Sequence, residues 1–266
     1  MEIVFVCLLV FCIIFAFDVM HGRLQRFLLY RRRKGFEQHE TYFRSLISSN
    51  IRYFNKVDLE TQQKWLIRTY LFYRSKKFHY VGVEKSDEMP VLISATAAQL
   101  TLGLENFSLN YFRDIYVLQH DYHYGYYSLP FMGHVDSSGI YLSWDNFLQG
   151  IRSAQDSSNV GLHEMAHALA YVNFITKTDE DRHFKKEFQH YSKVARPVFQ
   201  EMQKGRKTLL GDYAATNYHE FWAVSVEVFF ENPVRFHNEL PELYDAMTRL
   251  LKQDPYAVLI SRLAAA

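Results

Sequence analysis

Between residues 42 and 76 apolar positions recur at helical spacing, through Leu59, Trp65, Leu66, Tyr70, Phe72 and Tyr73, with Asp58 just ahead as an N-cap. This pattern predicts a helical opening section. KKFHYVGVE (76–84) then reads as a short edge-type strand. SDEMP (86–90) opens a helix that runs through VLISATAAQLTLGL, stops near Gly103 and is apolar enough to be buried. Residues 113–119 (RDIYVLQ) and 139–144 (GIYLSW) are rich in β-branched and aromatic residues and predict strands. The aromatic, glycine-containing stretch between them, HDYHYGYYSLPFMGHVDSSG, predicts a loop or irregular hairpin. A helix is expected after Trp144. Asp156, Ser157, Ser158 and Asn159 then serve as cap material for a further helix containing GLHEMAHALAY. Residues 178–207 read as a charged helix broken near Pro197, residues 217–231 as an apolar helix ended by Asn232 and Pro233, and residues 241–252 as the last helix. Mostly helices with a few strands make an α+β fold with a small β-sheet.

One run does not fit that fold. Residues 3–17 (IVFVCLLVFCIIFAF) are uninterrupted apolar, short of the ~20 residues that usually span hydrocarbon. Counting residues 1–20, with Glu2 and Asp18 near the interfaces, makes a thin span. A cleaved signal peptide fits poorly, because Glu2 is the only charge ahead of the run and no A-x-A site follows it. Arg23, Arg26, Arg31, Arg32, Arg33 and Lys34 follow with no acid among them, and such a cluster stays on the cytoplasmic side. The expectation is a single-pass protein of the inner cell membrane with its globular part in the cytoplasm, and the lipid bilayer a partner through residues 1–22. The basic juxtamembrane segment would cover 23–40, and the globular domain 41–256, in a helical part (41–110) and a catalytic part (111–256). Residues 257–266 would be a tail.

The composition narrows the partners. A net charge of +1 argues against nucleic acid as the main one. Cys7 and Cys12 both lie in the apolar run, so neither a disulfide scaffold nor a cysteine-ligated zinc ribbon is available to the rest of the chain.

The chemistry concentrates in GLHEMAHALAY. His163 and His167 are four apart, about one helical turn, so on a helix they present two imidazoles on one face. Glu164 sits beside them as the general base of an HExxH zinc site. A carboxylate in so apolar a flank is costly unless compensated, and a divalent cation compensates it. The competing reading is a helix whose two histidines and glutamate are simply hydrogen-bonded in a core. A catalytic zinc needs a third protein ligand. The HExxHxxGxxH continuation is absent, since Ala170 and Asn173 stand at its glycine and histidine positions. Glu220 and Glu227, seven apart on one face of the later helix, are the candidates, with His219 a third whose side chain points away from Glu220's. His120, His123 and His134 lack ligand spacing and read as surface histidines.

With NVGLHEMAHALA, GDYAATNYHEFWAVSVEVFFENP, DEMPVLISATAAQLTLGL, GIYLSWDNFLQG and KQDP in this order, residues 42–255 resemble the Mlc titration factor A (MtfA) family of zinc peptidases. The catalytic core of that family is related to that of anthrax lethal factor. The resemblance implies a mainly helical, gluzincin-type zincin binding one zinc ion per chain. It selects Glu220 over Glu227 as the ligand beside His163 and His167, because a family tyrosine lies seven residues ahead of the ligand and Tyr213 matches it. Tyr213 would then donate a hydrogen bond to the oxyanion; otherwise it is a core tyrosine near a helix start. Glu227 would support the ligands or replace Glu220. Trp222 stands where the family often has phenylalanine, a change in packing. Peptides or proteins are the implied substrates, with aminopeptidase-like cleavage one option, and the strand at 139–144 is the expected docking edge. A regulatory protein partner is also conceivable by resemblance. The alternative from another class is a membrane-tethered regulator-binding protein with little or no catalysis. A structural zinc bundle would require a fourth protein ligand, and the sequence offers none.

Overall fold

The computed structural model describes residues 34–123, 125, 130–153, 158–176 and 180–264. The expected membrane span lies outside them, and among the described residues no helix is long and apolar enough to cross a membrane.

Helix α1 (Glu40–Asn50) is followed by a short 3₁₀ turn (Arg52–Asn55) and α2 (Leu59–Ser75). The Asp58 side chain caps α2 by accepting from the Thr61 backbone N–H at 2.8 Å, as its sequence position predicts. Helix α3 (Glu88–Thr101) is buried on all sides from Met89 onward, which its lack of a polar face requires. Trp65 on α2 donates its indole N–H to the Ala95 carbonyl at 2.8 Å, so the large ring packs against α3 without an orphaned donor.

Four strands, β1 (Lys77–Val81), β2 (Asp114–Leu118), β3 (Gly133–Asp136) and β4 (Gly139–Ser143), form one sheet in the order β1-β2-β4-β3. The first three in that order run parallel, and β3 is antiparallel to β4. Strand β1 is an edge, as expected. Strand β3 arises in the stretch read as loop or irregular hairpin; four residues with one glycine and no β-branched run give too little signal for a strand, and pairing with β4 creates it. Ile115, Val117, Ile140 and Leu142 point from one face into the core. On the other face His79, Tyr116, Tyr141 and His134 stack across all four strands, with ring centroids 4.7, 4.4 and 4.2 Å apart.

The remaining helices are α4 (Trp144–Arg152), α5 (Val160–Phe174), α6 (Arg182–Gln203), α7 (Tyr218–Glu231), α8 (Pro233–Glu239), α9 (Pro241–Leu251) and α10 (Pro255–Ala264). Three expectations are corrected. Pro197 does not break α6: both Pro197 and Lys193, whose carbonyl it leaves unpaired, are exposed, so water can take the lost bond. Helix α8 follows directly after Asn232, because Pro233 both ends α7 and starts the next helix with its preset φ. The helix ending at Leu251 is not the last. Most of the expected tail belongs to α10, where Arg262 donates to the carbonyls of Lys56 (3.0 Å) and Val57 (3.1 Å).

Candidate metal centre

Helices α5 and α7 lie side by side, and sequence-local caps aim their first turns. The Asn159 side chain accepts from Leu162 N–H at the start of α5, and the Asn217 side chain accepts from His219 and Glu220 N–H at the start of α7. The approach of α4 to α5 depends on Gly161, where a Cβ would stand 2.6 Å from the Phe147 ring. Trp222 joins α7 to α5 by donating its indole N–H to the Ala166 carbonyl at 2.9 Å. Its ring fills space among Phe184, Phe188 and Tyr191, so the tryptophan serves packing.

This arrangement brings His163, His167 and Glu220 together. One donor atom from each lies within 4.8 Å of the other two, the one such group of three among the described residues. The separations are 2.9 Å from His163 Nε2 to Glu220 Oε2, 3.5 Å from His167 Nε2 to the same oxygen, and 3.0 Å between the two Nε2 atoms. Tetrahedral ligands about 2.0–2.1 Å from a metal stand about 3.3 Å apart. Glu220 Oε2 is buried and, although this close to His163, has no hydrogen bond of good geometry. A buried carboxylate oxygen without a hydrogen bond, set against two Nε2 atoms that lie 3.0 Å apart, fits a cation between them, and the mixed nitrogen and oxygen set suits zinc.

Glu227 is held apart from that triangle. Its Oε1 lies 2.7 Å from His163 Nδ1, and its Oε2 accepts from the Asn159 backbone N–H at 2.5 Å. Both oxygens are thus engaged behind the imidazole, which turns His163 Nε2 toward Glu220. Burial by itself would lower the His163 pKa, but the close carboxylates of Glu220 and Glu227 outweigh it and raise it well above the ordinary value. Burial would likewise raise Glu220; the two histidines overcome this and hold its carboxyl far below the usual range. The cluster therefore favours a positive charge at its centre.

Glu164 is 4% exposed and buried against β3. A Cβ on Gly133 would stand 2.6 Å from Glu164 Cγ and 2.7 Å from Oε1, so only glycine leaves room for the carboxylate. Burial, opposed by His163 and aided by the charges of Glu220 and Glu227, pushes Glu164 up to about 8. Tyr213 lies in a 3₁₀ turn, its ring centroid 6.0 Å from that of His163. Tyr213 is 59% exposed as a residue; partial burial of its hydroxyl first, and then the nearby Glu220 charge, push the phenol up to about 12.

These groups open onto a cleft of about 550 Å³ whose walls include Phe131, Tyr171, Phe174, Phe188 and Trp222. Its rim includes Gly133, His134 and Val135 of β3. His134 therefore departs from its reading as a surface histidine: its side chain is 11% exposed, stacks on Tyr141, and pairs through Nδ1 with the Tyr122 hydroxyl at 2.7 Å. His120 and His123 are exposed, as expected. His219 is exposed at the cleft and outside the three-residue cluster. Asn173 is fully buried, donates to the Leu169 carbonyl and accepts from Asp181 N–H, a structural role far from ligation. Sequence reasoning missed Gly133 and the cleft-side place of His134, since nothing in the local sequence says which strand will cover α5.

A family model described as glucose-regulated metallo-peptidase M90 matches residues 27–252. The chain belongs to this metallopeptidase family. It is the MtfA family that the sequence resembles, and membership implies a bound metal and peptide or protein substrates. An uncharacterized protein of Synechocystis, slr2042, is 22% identical over 235 residues, which cover 80% of this chain and 84% of that protein.

Proposed function

We propose that this metallopeptidase is zinc-dependent, uses Glu164 as general base and works at the cytoplasmic face of the inner membrane. The observation that carries the reading is the convergence of His163, His167 and Glu220 beside a buried Glu164 at the floor of an apolar cleft. Zinc held by those three residues would supply a Lewis acid and lower the pKa of a water to about 7.

The chain's own groups supply the rest. Glu164, buried beside the donor triangle, is placed to take the proton of the attacking water and return it to the leaving amine; burial raises its pKa, and a cation held beside it would bring it down again. Tyr213, pushed up to about 12, stays protonated and can donate to the carbonyl oxygen as negative charge develops. Glu227 fixes the tautomer and orientation of His163 from behind. Main-chain docking of an extended peptide falls to β3, which replaces the strand at 139–144 in this role. Both edges of β4 are taken by β2 and β3, whereas among the described residues β3 pairs on one side only and lines the cleft. Aminopeptidase-like cleavage of short peptides is one mode this site would support. A regulator-binding protein without catalysis would need neither the buried Glu164 nor Tyr213.

The test is metal content and peptide-library hydrolysis of the wild type and three variants, with and without chelator. Glu164→Gln should keep stoichiometric zinc and lose activity by about 10²–10⁴-fold. Glu220→Ala should lose the metal, and Glu227→Gln should bind it about 10–100-fold more weakly. Full activity in Glu164→Gln, or unchanged zinc affinity in Glu220→Ala, would overturn the assignment.

A further inference from the structure

The cleft has a polar end that the proposed chemistry leaves unused. Among its described lining residues one guanidinium appears and no lysine: Arg196, on the same face of α6 as Ser192 one turn earlier. Tyr218, the first residue of α7, joins them in the same lining. Its hydroxyl is buried beside Ser192 and Arg196 yet makes no hydrogen bond of good geometry. The Tyr218 ring is held in place, parallel to Phe221 at 6.0 Å and edge-on to Phe199 at 5.5 Å. The carboxylates of the cleft do not serve Arg196: Glu220 is turned to the two histidines and Glu164 is wedged under Gly133.

A guanidinium flanked by two hydroxyls, with no anion among the described residues to complete it, is a receptor for a planar anion. Tyr218 lies two residues ahead of Glu220 on one helix, so the two side chains project about 200° apart, and this receptor stands beside the donor triangle in the same cleft. We propose that Arg196, with the Ser192 and Tyr218 hydroxyls, binds a carboxylate of the peptide substrate away from the scissile bond. The site thereby selects short peptides ending there, through the C-terminal carboxylate, or longer ones with an acidic side chain at that position. This inference rests on the peptidase reading and adds a substrate class to it.

The experiment compares one peptide as free acid, as C-terminal amide, and with an internal Glu replaced by Gln, on the zinc-loaded full-length wild type and on Arg196→Gln and Arg196→Lys. Arg196 is exposed, so neither change endangers the fold. The wild type should show a KM about 10–100-fold lower for the form bearing the recognised carboxylate. Arg196→Gln should raise that KM to the level of the uncharged form while zinc content stays at the wild-type level. Arg196→Lys should restore part of the preference. Loss of preference in the amide identifies the terminus as the source, and loss in the Gln form identifies the side chain. Calorimetric binding of the same peptides to Glu164→Gln, alone and combined with Arg196→Gln, reads the contrast without turnover. Equal affinity for all forms, or a preference that survives Arg196→Gln, overturns the inference. Absence of cleavage by a zinc-loaded wild type that still shows the Arg196-dependent binding contrast overturns the peptidase reading and leaves this one standing.

Discussion

Glu164 and Gly133 are 31 positions apart, yet the first works only because the second has no side chain. Alanine at position 133 would place its Cβ 2.6 Å from Glu164 Cγ, so the carboxylate or the strand must move. A misplacement of about 1 Å in a reacting group costs about 10²-fold in rate. Gly133→Ala should therefore lower kcat by roughly that factor while zinc content, read by atomic emission, stays at the wild-type level, because the three atoms nearest the added Cβ all belong to Glu164, which is not one of the proposed ligands. Normal kcat in a folded Gly133→Ala protein would show that Glu164 needs no such clearance. The difference in legibility between the two residues is physical. His163, Glu164 and His167 share one helix, so their spacing in sequence is their spacing in space. Gly133 acquires its meaning only when β3 folds over α5.

At the scale of elements, caps were readable and contacts between elements were not. Asp58 and Asn159 cap the helices their positions predict. Asp181 shows how far a cap can reach: it starts α6 by accepting from Phe184 N–H, and its other oxygen accepts from Glu105 and Asn106 N–H in the loop after α3. Burial would raise its carboxyl, but these backbone donors, from Phe184 first, outweigh burial and hold it below the ordinary value near 3.9. Because the folded pKa is depressed, the stabilisation is present at neutral pH and is lost as pH falls from about 4 toward the folded value. Asp181→Asn, which keeps one acceptor oxygen, should cost about 1–3 kcal/mol in urea unfolding at pH 7. The gap between variant and wild type should narrow toward pH 3. A gap that is the same at both pH values would mean that the charge is immaterial. Pro197, Pro233 and Pro255 mark the limit of such reading, since proline disfavours a helix interior and favours a first turn, and only packing decides which applies.

For the whole molecule, the apolar run at 3–17 and the basic cluster from Arg23 to Lys34 are the ground for proposing a membrane anchor. Full-length protein should stay in the membrane pellet after alkaline carbonate washing, and a chain starting at residue 34 should be released. Release of the full-length chain would refute the anchor. The aromatic ladder of His79, Tyr116, Tyr141 and His134 belongs to this scale too, because it needs one residue from each strand and exists only once all four are in register.

By itself the sequence determined the α+β class, most helices, three of four strands and the HExxH residues, because each depends on periodicity or capping within a few residues. It also brought Glu220 and Glu227 to one face of α7, which follows from a spacing of seven. Their division into one carboxylate toward the donor triangle and one behind His163 was decided by tertiary structure, since it depends on where α5 crosses α7. The same holds for the exchange of β4 for β3 as the open edge, for the glycine beneath which Glu164 fits, and for the meeting of Arg196 with Tyr218. In each case the partners lie far apart in the chain, and only the packed arrangement of helices and sheet sets the distance between them.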